Sequence, residues 1–135
     1  MTHDEILAVI DELYTASGMG DFDRVEQLVT DDLQIIEADG LPMAGVYKGR
    51  TALRELFTEV MGMMEVAGLE RIQATTGGDY AVVILHFKFA DPELEPAHLC
   101  EVFRFRDGKV CEIKPYYFDH QPIIAACEAF KRKQG

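Results

Sequence analysis

An α+β fold, with a curved sheet wrapped around its helices, is predicted by three features of the sequence. Apolar residues recur at helical spacing as far as Met64, the period then changes to two, and short turn signals separate the later extended runs, so helices come first and antiparallel strands after. At 135 residues, with 48% apolar and 27% charged, the chain has material for one core and is read as one domain, 1–135. It shows no internal repeat, linker or low-complexity segment.

Thr2 and Glu5 form a capping box, after which Ile6, Leu7, Ile10, Leu13 and Tyr14 lay an amphipathic stripe that ends at Gly18 and Gly20. Asp21 caps a shorter helix carrying Phe22, Val25, Leu28 and Val29. "TDDLQIIEADG" follows as a strand on which Leu33, Ile35 and Glu37 share a face. "LPMAGVYKG" reads as a loop with a short extended piece. Leu53, Leu56, Phe57, Val60, Met61 and Met64 then define a third helix, ended by Gly68. "LERIQATT", "DYAVVILHFKFA" and the two halves of "HLCEVFRFRDGKVCEIKPYYFD" are strands, and a last helix begins at Pro122.

A formal net charge of -11 argues against nucleic acid and anionic membrane surfaces, because the one basic run, Lys131 to Lys133, is suited to the last helix's dipole. No apolar run approaches the roughly twenty residues that span a bilayer. The acidic start "MTHDEIL" lacks the basic segment of a leader, and a cytoplasmic protein is expected. Cys100, Cys111 and Cys127 have no CxxC spacing, and His3, His86, His98 and His120 are scattered singly, so no metal and no cofactor are expected.

One residue breaks the pattern. In the strand that holds Leu99, Phe103 and Phe105, Glu101 points the same way as its apolar neighbours, and an unpaired buried charge is costly. Two turns can build "FRDGKV". A two-residue type I′ turn at Asp107-Gly108 makes Glu101 face Lys114 as half of an ion pair, whereas a three-residue turn with Gly108 in a bulge makes it face Ile113 and turns Glu112 and Lys114 outward. The second register gathers Leu99, Phe103, Phe105, Cys111, Ile113, Pro115 and Tyr117 on one face and is favoured.

The stretches "MGDFDRVEQLVTDDLQIIEADG", "GVYKGRTALRELF" and "EVFRFRDGKV" together resemble the nuclear transport factor 2 superfamily, in particular its SnoaL-like and ketosteroid-isomerase-like branches. The resemblance implies a cone: three helices closing a strongly curved mixed sheet over a pocket. It implies a range of activities, from isomerases, cyclases, dehydratases and epoxide hydrolases to binders without catalysis. Glu37 falls where ketosteroid isomerases carry their general-base aspartate, and Glu101 where they carry the protonated aspartate that binds the oxyanion. Both are Glu in place of Asp. The family's first-helix tyrosine falls at Leu13, with Tyr14 one position on and turned by about a hundred degrees.

In that arrangement Glu101, raised by its apolar surroundings, donates a hydrogen bond, while Glu37, near the strand's end and water, stays ionised and moves the proton. Tyr14, Phe57, Met61, Phe87, Phe103 and Tyr117 are expected to line the pocket and bind a small hydrophobic molecule. Asp119 has the parity of Tyr117 and could line the mouth, or could cap the last helix. The expected activity is proton abstraction next to a carbonyl by an isomerase or cyclase; hydrophobic-ligand binding without catalysis, and epoxide hydrolysis or dehydration by the same acids, stand beside it. Tyr80, Val82, Ile84 and His86 form an outward stripe too apolar for open water, which points to a homodimer.

Overall fold

The computed structural model describes residues 1–135 as four helices and one six-stranded sheet. Helix α1 (His3–Gly18) begins on the reciprocal Thr2–Glu5 capping box and buries Ile6, Ile10, Leu13 and Ala16. Asp21 caps α2 (Phe22–Leu28) by accepting from the Arg24 N–H, and the chain passes directly into β1 (Val29–Glu37). Strand β2 (Gly45–Lys48) doubles back on β1 and pairs Gly45 with Glu37.

Helix α3 (Ala52–Met61) is a turn shorter than its apolar spacing suggests. Gly62, a poor helix residue, caps it, and Met64 packs into the core from the turn beyond, 1% exposed. Gly68, expected as the helix end, lies instead in β3 (Val66–Gly77). Strands β4 (Tyr80–Phe89), β5 (Ala97–Arg106) and β6 (Lys109–Tyr117) follow as antiparallel neighbours, and α4 (Gln121–Gln134) closes the chain.

The strand order is β2-β1-β6-β5-β4-β3. Because β1 runs parallel to β6 while every other pair is antiparallel, the sheet is mixed, and it is curved. Alternation sends Ala81, Val83, Leu85, Phe87 and Phe89 of β4 inward, and the first three are 0% exposed. They join residues of α1, α2 and α3 in one core cluster.

The β5–β6 hairpin takes the tight turn of the first expectation but not the register that was expected to follow from it. Asp107 and Gly108, at φ 54° and 79°, form a two-residue turn in which Arg106 faces Lys109. The register then slips by one at Cys111, a bulge between the pairs Phe105–Val110 and Arg104–Glu112. Phe103 therefore faces Ile113, and Glu101 faces Pro115. Asp-Gly favours the tight turn locally, yet Val110 and Ile113, three apart, both have to point inward, and one unpaired residue reconciles the two demands. The three-residue turn is thus corrected. Its pairing of Glu101 with Ile113 is corrected with it, but the choice of face survives, because the bulge puts Glu101 on the inner face and Lys114, facing Val102, on the outer one.

Candidate active site

The two acids that interrupt apolar faces flank one residue. Glu101 of β5 faces Pro115 of β6. On the other side β1 pairs Ile35 with Ile113 in parallel, so Glu37, two residues on, comes level with Pro115. Two strand spacings put their α-carbons roughly 10 Å apart. Both side chains line one cavity of about 1080 Å³ enclosed by the sheet and α1 and α3.

Tyr14 reaches the same floor from α1. Its hydroxyl donates to Glu101 Oε1, and its ring meets Phe103 edge-on at 6.0 Å. Its offset from the family's tyrosine position does not turn it away from the acid. Tyr117 lines the floor from β6, with its ring against His120 at 6.1 Å. Burial and the nearby carboxylates hold both phenols far above their ordinary range, so both stay hydroxyl donors.

The two carboxyls sit in unlike surroundings. Glu37 is 6% exposed, and its Oε1 is buried without a hydrogen-bond partner. Burial first, and then the charge of Glu101, push its pKa from 4.5 up to about 8. The expectation that Glu37 lies at the water's edge is overturned: it is buried, where β2 pairs along the end of β1. Burial also raises Glu101, but the Tyr14 hydrogen bond pulls the other way. A negative charge is better placed on the acid that has a donor. Burial pushes both acids up, and only at Glu101 does a hydrogen bond oppose it.

Of the residues expected at the site, Tyr14, Glu37, Phe57, Met61, Phe87, Glu101, Phe103 and Tyr117 all line the cavity. Met61 does so from the rim, 53% exposed, near Met19 at 77% and Leu69 at 38%. Asp119 does not. It is exposed, and its Oδ1 accepts from the Gln121 N–H at 2.9 Å, which ties its carboxylate to the start of α4. Sequence reasoning missed Arg71, on the inner face of β3 opposite Leu85. It shares the parity of Leu69, but a bulge at Ile72 breaks the alternation that would have exposed it. No group of three or more His, Cys, Asp and Glu side chains is arranged to hold a metal ion.

A family model for the SnoaL-like domain matches residues 10–113. The chain belongs to the SnoaL-like domain family. It lies within the nuclear transport factor 2-like superfamily that the sequence resembles. No curated protein matches the SnoaL-like chain. Among solved structures, an NTF2-like protein from Burkholderia xenovorans LB400 is similar at 21% identity and a TM-score of 0.79, covering 94% of this chain and 98% of that one. TerC, co-crystallised with polyporic acid, is similar at 15% identity and a TM-score of 0.78, covering 92% and 98%. A candidate polyketide cyclase from Sinorhizobium meliloti is similar at 18% identity and a TM-score of 0.65, covering 81% and 94%. At such identities the likeness is one of fold. No helix in the SnoaL-like chain is long and apolar enough to cross a membrane.

Proposed function

We propose that the protein is a cofactor-free acid–base catalyst that moves a proton next to the carbonyl of a small, largely apolar molecule, as an isomerase or cyclase. The observation that carries this reading is the unequal pair of acids in one apolar cavity: Glu101 with a phenol donor, Glu37 with none. The expected roles are exchanged. Glu101, ionised, takes the proton α to the carbonyl, while the protonated Glu37 and the Tyr117 hydroxyl donate to the oxygen as it becomes an enolate. Return of the proton to a different carbon gives an isomer; attack of the enolate carbon on an electrophilic carbon of the same molecule gives a ring. The polyketide-cyclase candidate among the fold's relatives supports the reading at the level of chemistry class.

The test is incorporation of deuterium from heavy water at the α-carbon of a panel of cyclic ketones, followed by NMR. Glu101→Gln is expected to slow exchange by about two to four orders of magnitude, the ordinary worth of a general base. Glu37→Gln keeps an N–H donor and is expected to slow it far less. Exchange by Glu101→Gln at the parental rate on every ketone the parent turns over sinks the catalytic reading and leaves hydrophobic-ligand binding as the function.

The same protein is proposed to act as a homodimer through the outer face of the sheet. Ile84 (41% exposed) faces Cys100, Cys100 faces Tyr116 (53% exposed), and Val82 faces Val102, so a contiguous apolar patch crosses three strands. Sedimentation at micromolar concentration is expected to give twice the chain mass; a monomer there removes the claim.

A further inference from the structure

Arg71, an exposed residue of β3, raises a different question from Glu101 on β5: why a cation at the edge of an apolar cavity? Among the residues lining the cavity it is the only lysine or arginine, in a chain whose net charge is -11. Its side chain is 39% exposed, so the guanidinium stays partly hydrated at the cavity's edge, where it can meet a ligand without full desolvation. Inside the protein it has one acceptor: Nη1 reaches Asp11 Oδ1 at 2.6 Å, and that carboxylate is itself 68% exposed. A guanidinium carries five N–H groups in a planar fork suited to a carboxylate, so most of its donor capacity is unspent. Its carbon lies 5.0 Å over the Tyr14 ring, whose hydroxyl touches Glu101. One phenol ring therefore separates the guanidinium from the Glu101 carboxyl.

The C-terminal ends of α1 and α3 both reach the cavity, at Gly18 and Met61, and neither helix has a basic residue in its last turn. Arg71 is thus the one formal positive charge that the lining offers an anionic group.

We propose that the cavity is selective for amphipathic organic acids: an apolar body whose anionic oxygen group, a carboxylate or its like, seats on Arg71 while a carbonyl about one ring's width further in meets Glu101 and Glu37. The proposal rests on the reading of this cavity as a site for an apolar ligand and names the class of that ligand. Arg71 fixes the orientation, and its distance from Glu101 keeps the ligand's charge away from the base.

Two fluorescent probes separate the proposal from that reading, because phenylnaphthylamine is neutral and anilinonaphthalenesulfonate adds a sulfonate to the same aromatic frame. The parent is expected to bind both at one site, each displacing the other, with the sulfonate preferred at low salt. Arg71→Met is expected to weaken the sulfonate about tenfold and leave the neutral probe within about twofold, and Asp11→Asn, which frees the guanidinium, to strengthen the sulfonate about threefold. An unchanged ratio of the two affinities in Arg71→Met overturns the proposal while the apolar site stands. Binding of neither probe by the parent overturns both. Equal weakening of both probes means that Arg71 only braces α1 against β3, and it too overturns the proposal.

Discussion

The two faces of the same strands break the rule of alternation in opposite directions. On the inner face of β1 and β5 stand two carboxyls, Glu101 between Leu99 and Phe103 and Glu37 next after Ile35 on that face, all three of those neighbours 0–5% exposed, and one carboxyl has a buried oxygen that no protein group satisfies. On the outer face of β4 and β6, Ile84 and Tyr116 turn half their surface to water. A buried polar group and an exposed apolar patch are each unfavourable where they stand, and each is the kind of departure that marks a contact the chain does not make with itself. The inner departures lie in a cavity and suit a small molecule; the outer ones lie on a broad sheet face and suit a second protein surface. The difference can be broken from either side by substitution.

The largest effect is expected on the inner face, in the pH dependence of stability. Glu37 has its folded-state pKa raised from 4.5 to about 8, so between those values the folded state holds a proton that the unfolded chain has lost. Stability must therefore fall as pH rises through this window, by at most about 5 kcal/mol for a shift of this size. Glu5, Asp32 and Glu70, shifted the other way, act below it. Urea midpoints measured from pH 5 to pH 9 should decline in the parent and decline less in Glu37→Gln, in which Glu101 remains as the one buried acid of the pair with a raised pKa. Parallel curves would mean that Glu37 is not buried as a neutral acid.

Next in size is the outer face. In a two-fold interface each substitution acts twice, so a charge at Ile84, in the middle of the patch, meets its own image or its neighbours across the axis. Ile84→Asp is expected to weaken the proposed homodimer by one to two orders of magnitude, about 1.5–3 kcal/mol, without lowering the stability of the monomer, since the side chain faces out. Sedimentation across a concentration series reads this directly. An unaffected dimer would place the interface elsewhere.

How much of the fold and the site is legible in the sequence follows from the range of the forces involved. Period-two alternation is local, and by itself it puts Glu37 and Glu101 on apolar faces. It fails wherever one residue is inserted. The bulge at Cys111 moves the slip from the turn into the strand without changing which way Glu101 looks, whereas the bulge at Ile72 hides Arg71 altogether. Which acid holds the proton is not legible at all. Residue 37 comes near the end of its strand in the sequence, but β2 pairs along that end, and the only donor to Glu101 arrives from an α1 residue 87 positions away. Helix phase at Tyr14 is set to within a fraction of a turn by packing, and a family alignment one residue out cannot resolve it.

The smallest effect, and the sharpest for the inner face, concerns that donor. If the Tyr14 hydroxyl is what keeps the charge on Glu101, Tyr14→Phe leaves the carboxyl with burial alone acting on it, and its pKa rises further. A hydrogen bond to a charged group is worth about 1.5–3 kcal/mol, which is about one to two pH units. For a base the sign is fixed: activity needs the ionised form, so the acidic limb of the deuterium-exchange profile should move up by that amount. The variant should be slow at neutral pH and recover toward the parental rate in alkali, where Glu101 ionises without help. Loss of exchange at every pH would instead make the phenol itself a donor to the reacting molecule. An unmoved limb would detach Tyr14 from the titrating group and return the choice of base to Glu37, whose own pKa of about 8 would then have to appear as the limb.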